Sequence, residues 1–408
     1  MTQPTRRALL GAASLALAAP AWAQTPGHAL LAADWPAVQR EARGQTVFLN
    51  AWGGDDRTNA FLAWAGGRVQ ALHGVAMRHV RLRDTAEAVA RVVAEKAAGR
   101  TQGGSVDLIW INGPNFLAMK EQGLHFGPFL DRLPNARFID RLGKPSTIVD
   151  FTVPVEGLAA PWRMAQVAFI ADSARVPQPP RSMAALLDWA RANPGRTTHP
   201  QVRNFMGVTF LKQALHELAP DKAALLRPAC DATLRPAADA LWAWYDQLRP
   251  HLWRGGRAFP ANGPAQRPLM LDGELDIYIS FNPAEAAVAI ANGQLPETAR
   301  PFVLAGGTLG NTSFVSIPFN AAHAAGAMLV ADFLLSAEAQ AQAADPRVLG
   351  SPTVLDLAAL PPEGRARFAA LPAGPAILPP EALGRPLQEP HPSWMTRLTA
   401  EWEDRYGR

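Results

Sequence analysis

The chain has 408 residues, 48% of them hydrophobic and 18% charged, with a formal net charge of +4. This length supports two domains with sizeable cores, and this composition excludes a disordered chain. The small net charge argues against nucleic acid as a partner, and the single cysteine, Cys230, excludes an internal disulfide and a cysteine-rich metal site.

The first 23 residues have the features of a cleaved export signal. Arg6 and Arg7 precede an apolar stretch, and the tripeptide AWA, a small-x-small cleavage motif, ends at Ala23. The paired arginines favour the twin-arginine route, with an ordinary Sec signal as the alternative. No later apolar run is long enough to cross a bilayer. We therefore expect a soluble periplasmic protein that is cleaved after Ala23.

Predicted strands and helices alternate after the signal. Strand patterns at 45–49, 75–82 and 106–111 are separated by two helical patterns. This β-α-β-α-β order predicts a parallel sheet with right-handed crossovers. The third strand ends at Asn112, and a helix opens at Pro114 and Asn115. Both asparagines would lie at the carboxyl edge of the sheet, where open α/β sheets bind ligands.

A second α/β unit follows a region rich in proline and glycine. Its strand patterns are at 164–171, 275–280 and 299–304, and its helical patterns are at 183–192, 207–218 and 237–248. Phe281-Asn282-Pro283 repeats the strand–asparagine–helix arrangement, with Glu285 in the next turn. Residues 306–313 read as a flexible polar loop, followed by a strand at 314–319 and by helices at 324–335 and 394–406. These patterns predict an α/β fold with two lobes.

Motifs of several enzyme classes are missing from the sequence, namely G-x-S-x-G, H-E-x-x-H, the Walker A loop and C-x-x-C. The nine histidines are scattered, without a ligand spacing among them. The sequence therefore favours a binding protein with no catalytic residues, metal or cofactor. An exported enzyme that combines residues distant in sequence is the alternative.

Polar and aromatic side chains at the predicted strand-to-helix loops form the candidate ligand site. Aromatic residues supply contact area and cation–π contacts, and glycines allow close backbone approach. Core packing is the alternative role for the tryptophans, and helix capping for Asp55 and Asn282. The candidates are Trp52, Gly53, Gly54, Asp55, Asn112, Asn115, Trp162, Phe281, Asn282, Glu285, Thr308 and Asn311.

Nine segments of the chain resemble the YnjB-type solute-binding proteins of bacterial ABC importers. They are NAWGGD (50–55), GGSVDLIWINGPNF (103–116), PWRMAQVAF (161–169), NPGR (193–196), LWRGG (252–256), DGELDIYISFNPAEAA (272–287), GTLGNTSFVSIPFNA (307–321), FLLSAEAQ (333–340) and EPHPSW (389–394). The resemblance implies a type II periplasmic-binding-protein fold, with two α/β lobes, two crossovers, a hinge and an interlobe ligand cleft. His199 and Met206 depart from the family pattern near the expected cleft.

With this resemblance, residues 24–160 plus 316–408 would form lobe one and residues 161–315 lobe two, with the hinge near 153–162 and 313–318. The protein would be a monomer that delivers its solute to an ABC permease and its ATPase. Helix N-termini at the cleft favour an anionic group, whereas Asp55, Glu285 and the tryptophans favour an organic cation. The prediction is a small polar organic solute, cationic or zwitterionic, with a thiamine-like compound as one example and an anion or oxyanion as the alternative.

Overall fold

The computed structural model describes residues 26–407 except 373, 375, 379 and 385, so the predicted export signal and its cleavage site lie outside the described residues. The strands are β1 (Thr46–Trp52), β2 (Ala76–Leu82), β3 (Leu108–Ile111), β4 (Val149–Asp150), β5 (Val153–Pro154), β6 (Ala159–Gln166), β7 (Ala168–Asp172), β8 (Ile277–Ser280), β9 (Ala299–Phe302), β10 (Leu309–Ser316) and β11 (Leu387–Gln388).

The α-helices are α1 (Pro26–Ala32), α2 (Trp35–Ala42), α3 (Asp56–His73), α4 (Ala86–Ala97), α5 (Gly113–Glu121), α6 (Met183–Ala192), α7 (Phe205–Leu218), α8 (Asp231–Leu248), α9 (Gln266–Leu271), α10 (Glu285–Ala291), α11 (Ala324–Leu334), α12 (Ala337–Ala344), α13 (Pro362–Ala369), α14 (Pro380–Leu383) and α15 (Pro392–Tyr406). Short 3₁₀ turns cover Leu130–Arg132, Pro134–Phe138, Pro145–Thr147, Ala223–Leu226, Arg249–His251 and Trp253–Gly256.

Lobe one is built on a mixed sheet with the strand order β11-β10-β3-β1-β2, and β6 pairs with β10. β1 runs parallel to β2 and β3, as the β-α-β-α-β order predicts, whereas β10 is antiparallel to β3 and β6. Val47 of β1, Ala65 of α3 and Leu329 of α11 are fully buried in the core between this sheet and its helices. The carboxyl ends of β1 and β3 open toward lobe two, which places their following loops at the cleft.

Lobe two is built on a smaller antiparallel sheet with the strand order β8-β7-β9. Helices α6, α7 and α8 cover it, and Phe210, Trp242 and Tyr245 are buried in their core. The last helix, α15, also belongs to this core, through Trp394 and Trp402. α15 lies against α5 of lobe one as well, so it touches both lobes.

The chain passes between the lobes where β6 continues into β7 at Val167 and where β9 leads to β10. The Val167 N–H donates to the Leu309 carbonyl at 2.7 Å, so the two passages lie side by side. They correspond to the two crossovers that the resemblance implies. The C-terminal part crosses again, because Phe368 packs against the core of lobe one and Ala376 against lobe two.

Three features differ from the sequence-based expectations. The predicted loop at 306–313 is wrong from residue 309 onward, because β10 begins at Leu309 and pairs with β6 along its length. The predicted lobes, 24–160 plus 316–408 and 161–315, differ from the packing, because β6 and β10 extend the first sheet and α15 completes the second core. The passages also lie beyond the ranges expected for the hinge, whose position stays a prediction.

Candidate functional site

An open cavity of about 300 Å³ lies between the two lobes. Lobe one contributes the loop after β1, the first turns of α3 and α5 and one face of β6 and β10; lobe two contributes the starts of α7 and α9 and the end of β8. Eight of the twelve candidate residues line the cavity: Trp52, Asp55, Asn112, Asn115, Phe281, Asn282, Glu285 and Asn311. Their contact with a ligand stays a prediction.

Trp162 lies in the core of lobe one, while its neighbour Arg163 reaches the cavity. Successive side chains of a strand point to opposite faces, and the pairing of β6 with β10 shifts register between Ser313 and Phe314, opposite Trp162. Trp162 is 1% exposed, and its ring stacks on Phe61 with 5.9 Å between the centroids. Arg163 and Ser313, which are paired across the ladder, both line the cavity. Trp162 therefore packs in the core and does not line the cavity as expected.

Gly53, Gly54 and Thr308 also lie outside the cavity lining. A Cβ at Gly54 would come 2.4 Å from the Trp52 ring, so this glycine lets the indole fold back against the loop. A Cβ at Gly53 would come 2.6 Å from Arg81 Cβ, which indicates a packing role. Thr308 is fully buried. The structure therefore gives these three residues packing positions outside the cavity lining.

Charged side chains from the two lobes pair reciprocally across the cavity. Arg57 of lobe one lies 3.0 Å from Glu285 of lobe two, and Arg267 of lobe two lies 3.4 Å from Asp55 of lobe one. Arg267 also contacts Glu285 within its own lobe at 2.5 Å. Burial would raise the pKa of both carboxyls, but the two arginines outweigh it and hold the pKa of Asp55 and of Glu285 below their usual values. Both carboxylates are therefore charged and already neutralised by protein cations.

Arg163 is a third arginine in this group, and it has no carboxylate partner among the described residues. Its Nη1 lies 3.5 Å from the hydroxyl of Thr58, and its Nε is buried without a hydrogen-bond partner. Burial lowers the pKa of Arg163 to about 10, which leaves it protonated at neutral pH. We call Asp55, Arg57, Arg163, Arg267 and Glu285 the cleft cluster.

The helix N-termini at the cavity are partly occupied by protein acceptors. The Gly113 N–H, at the start of α5, donates to the buried Asp150 carboxyl at 2.6 Å. The Ala284 N–H, immediately before α10, donates to Asn282 Oδ1 at 3.0 Å, so Asn282 closes the turn that leads into α10 while it lines the cavity. Asn112 precedes α5 without making a side-chain capping bond. The arginines, more than free helix N–H groups, thus supply the positive potential of the cavity.

Sequence reasoning missed the arginines and several apolar residues of the lining: Arg57, Trp110, Arg163, Phe205, Arg267, Tyr278 and Met395. The two-residue alternation of β6 could have identified Arg163, because it follows a core tryptophan. Arg267 and Met395 carry no local signal, since they reach the cavity through packing of elements distant in the chain.

His199 and Met206 have different positions relative to the cavity. Met206 lines it, whereas His199 is fully buried in lobe two between the rings of Phe210 and Phe259, with centroids at 4.8 and 4.7 Å. Its Nε2 lies 2.8 Å from the Tyr245 hydroxyl, and burial lowers its pKa to about 4. His199 is therefore a neutral core residue.

Among the described residues, no group of three or more His, Cys, Asp or Glu side chains is arranged to hold a metal ion. In the same part of the chain, no helix combines the length and apolar character needed to cross a membrane.

Two α/β lobes with a cavity between them define a two-lobed binding protein of the type II periplasmic-binding fold. Residues 45–373 match the family of bacterial extracellular solute-binding proteins, and the chain belongs to that family. It is 43% identical over 376 residues to Protein YnjB of Escherichia coli (strain K12), which covers 92% of this chain and 95% of that protein. These matches confirm the resemblance noted from the sequence segments.

Solved structures of distant sequence share the fold. They include the periplasmic binding protein AfuA of Actinobacillus pleuropneumoniae with fructose-6-phosphate bound (TM-score 0.62, 16% identity, 89% of this chain and 99% of that one). The spermidine/putrescine-binding protein PotD of Streptococcus pneumoniae gives a TM-score of 0.61 at 13% identity, covering 89% and 98%. Iron-bound HitA of Pseudomonas aeruginosa gives 0.58 at 15% identity, covering 89% and 99%. The family is one of binding proteins, and the fold alone leaves the ligand open.

Proposed function

We propose that the protein is the periplasmic solute-binding component of an ABC importer. It captures a small polar organic solute in the interlobe cavity and delivers it to a membrane permease with its ATPase. Export through the predicted signal at residues 1–23, by the twin-arginine or the Sec route, and a monomeric state are parts of this proposal. Family membership and the interlobe cavity support it.

The reciprocal pairing of charges across the cavity carries the mechanism. Arg57 with Glu285 and Arg267 with Asp55 join opposite lobes at 3.0 and 3.4 Å, so domain closure brings each cation to an anion of the other lobe. A solute held between the lobes adds its own contacts to both and shifts the population toward the closed form. The permease would then recognise that closed form.

The candidate ligands include both anions and cations, and the named proteins of similar fold bind a sugar phosphate, polyamines or iron. A cationic or zwitterionic solute would use the carboxylates of the cavity and its aromatic rings. Both carboxylates, however, are already paired with arginines. An anionic group therefore becomes the stronger candidate for at least part of the solute.

Native mass spectrometry of the protein purified gently from its own periplasm, repeated after denaturation, tests the function directly. We expect a small molecule that is released intact on unfolding. Small-angle scattering should then show compaction of the stripped protein when that molecule is returned. Chemical conversion of the molecule by the protein would contradict a pure binding role, and absence of compaction would contradict hinge closure.

A further inference from the structure

We propose that the cavity selects a small organic monoanion, whose anionic group pairs with the Arg163 guanidinium and whose apolar body lies against Trp110, Phe205 and Phe281. This inference rests on the proposed solute-binding function and specifies the class of solute. It also departs from the cationic solute that the sequence favours.

The charge balance of the cavity is the first step. Four arginines and three carboxylates line it, an excess of one positive charge. Arg83 and Asp84 are exposed, at the edge of the cavity, where solvent screens them. The remaining groups are the cleft cluster, in which two carboxylates neutralise Arg57 and Arg267 and Arg163 is left over. One negative charge would complete this set.

Unused hydrogen-bond donors are the second step. Arg163 Nε and Arg57 Nη1 are buried without a partner in the described part of the chain. A buried guanidinium that lacks acceptors pays a desolvation penalty that a carboxylate, sulfonate or phosphate oxygen can offset through charge-assisted hydrogen bonds. The Ser313 hydroxyl lines the same cavity and can add a neutral hydrogen bond, whereas the Thr58 hydroxyl already donates to Asp55 Oδ2 at 2.8 Å. A bound anion would therefore find hydrogen-bond donors as well as the positive charge of Arg163.

The apolar lining is the third step. Trp110, Phe205 and Phe281 line the cavity together with Met206 and Met395, and Phe205 and Phe281 meet edge to face with centroids 5.6 Å apart. At about 300 Å³ the space lies at the small end of ligand pockets. An inorganic oxyanion would leave these aromatic faces uncovered, whereas a small organic anion would bury them.

The test uses full-length mature protein stripped of ligand by unfolding and refolding. A small-molecule extract of the source cells is sorted at neutral pH into anion-exchange-retained, cation-exchange-retained and unretained fractions. Thermal unfolding with each fraction reports binding. We expect stabilisation by the retained anions only, and mass spectrometry of the bound molecule then distinguishes a carboxylate from a phosphate or sulfonate.

Two matched variants assign the anion to its residue. Arg163→Gln removes the buried charge, and we expect the affinity for the active molecule to fall about 10-fold or more, as for loss of a charge-assisted hydrogen bond. Arg83→Gln removes the same charge at the exposed edge and should change affinity less than about threefold. Without ligand, Arg163→Gln should unfold no lower than the parent protein, because it removes an unpaired buried charge. If Arg163 served only to stabilise the fold, Arg163→Gln would unfold at a lower temperature and its affinity would stay unchanged.

The outcomes separate the two proposals. Stabilisation by the retained cations or by the unretained fraction, or equal affinity in Arg163→Gln, would overturn the monoanion and its site while leaving the solute-binding function in place. Absence of stabilisation by any fraction would overturn the solute-binding function and this inference with it.

Discussion

Two groups of charged side chains are buried where the lobes meet, and they differ in whether each charge has a partner. The first, which we call the inner cluster, consists of Lys212, Glu389 and Asn311. Lys212 and Glu389 are 0% and 1% exposed and lie 2.6 Å apart, and Asn311 donates to the second Glu389 oxygen at 3.2 Å. The Lys212 ammonium also lies 4.8 Å from the ring centroids of both Phe151 and Phe205. In this cluster the Lys212 ammonium and the Glu389 carboxylate are each other's partners, and we call such a cluster complete.

The cleft cluster is built from the same kinds of side chains but is incomplete. Its carboxylates are shared among arginines of both lobes, Arg163 lacks a carboxylate, and an open cavity lies beside it. A buried cluster in which every charge has a partner holds the packed elements together. A cluster with an unpaired charge beside a cavity leaves an interaction for a ligand to supply. The difference in pairing thus separates a structural group from a candidate binding group.

The largest expected effect comes from breaking the inner cluster. Lys212→Met leaves Glu389 buried without its cation, and we expect the free energy of unfolding to fall by about 3–5 kcal/mol. Urea denaturation measures this loss. Arg397→Met, which breaks the exposed pair with Asp231, is the matched control and should cost less than about 1 kcal/mol. Equal costs for the two variants would contradict the distinction between buried and exposed pairs.

A smaller effect is expected in the cleft cluster. Glu285→Gln removes the carboxylate that Arg57 and Arg267 share, and we expect a loss of about 2–3 kcal/mol because Asp55 remains and the cavity admits water. Inorganic phosphate should recover part of this loss, since the variant has more unpaired positive charge. Thermal unfolding with and without phosphate measures the recovery. Stabilisation by phosphate that is no larger in the variant than in the parent protein would contradict the expected gain of unpaired positive charge in the cavity.

The smallest expected effect is a difference between the pH dependence of folding stability and that of ligand affinity. Burial lowers the pKa of His125, His199 and His216 to about 4, so each is neutral when folded and gains a proton near its usual pKa only when unfolded. Stability is therefore full above about pH 6.5 and is lost as the pH falls toward 4. Burial raises the pKa of Asp332 to about 6 and also raises the pKa of Asp150 and Glu389, which opposes this trend. The lowered pKa values of Asp55, Asp276 and Glu285 act in the same direction as the histidines.

Replacing one of these histidines should flatten the pH dependence of unfolding. His125→Gln keeps a polar group near Ser316 and should lose about 1–2 kcal/mol less than the parent between pH 7 and 4. Ligand affinity should stay constant between about pH 5.5 and 8, because the cleft carboxylates have lowered pKa values and Arg163 remains protonated. Denaturation at each pH measures the stability, and ligand titration at the same pH measures the affinity. An affinity that falls with pH in parallel with the stability would contradict the expected constant affinity.

The sequence predicted the fold well where local patterns decide it. Apolar periodicity located β1, β2 and β3 with their helices, and similar patterns indicated a second α/β unit. The strand β10 was missed at its start because Asn311, Thr312 and Ser313 are typical of loops. In the structure they are buried in the ladder with β6, with Asn311 bonded to Glu389 and Thr312 to Ser146. Polar residues with partners far along the chain look like loop residues in sequence.

The sequence indicated some of the residues that line the cavity but not their ion-pair partners. Asp55 and Glu285 were identified because they follow predicted strands, but their partners Arg57 and Arg267 were not. The ion pair between Arg57 and Glu285 joins residues 228 positions apart, and no local spacing indicates it. The sequence therefore suggested free carboxylates and an organic cation. Once the arginines are placed, the same carboxylates favour an anion.

The position of α15 has a consequence for the order in which the protein can fold during synthesis. Lobe one needs α11, at 324–334, to cover its sheet, and lobe two needs the tryptophans of α15, at 392–406. Neither core can therefore close while the ribosome is still making the middle of the chain. The nascent protein therefore remains incompletely folded until nearly all of it has emerged from the ribosome.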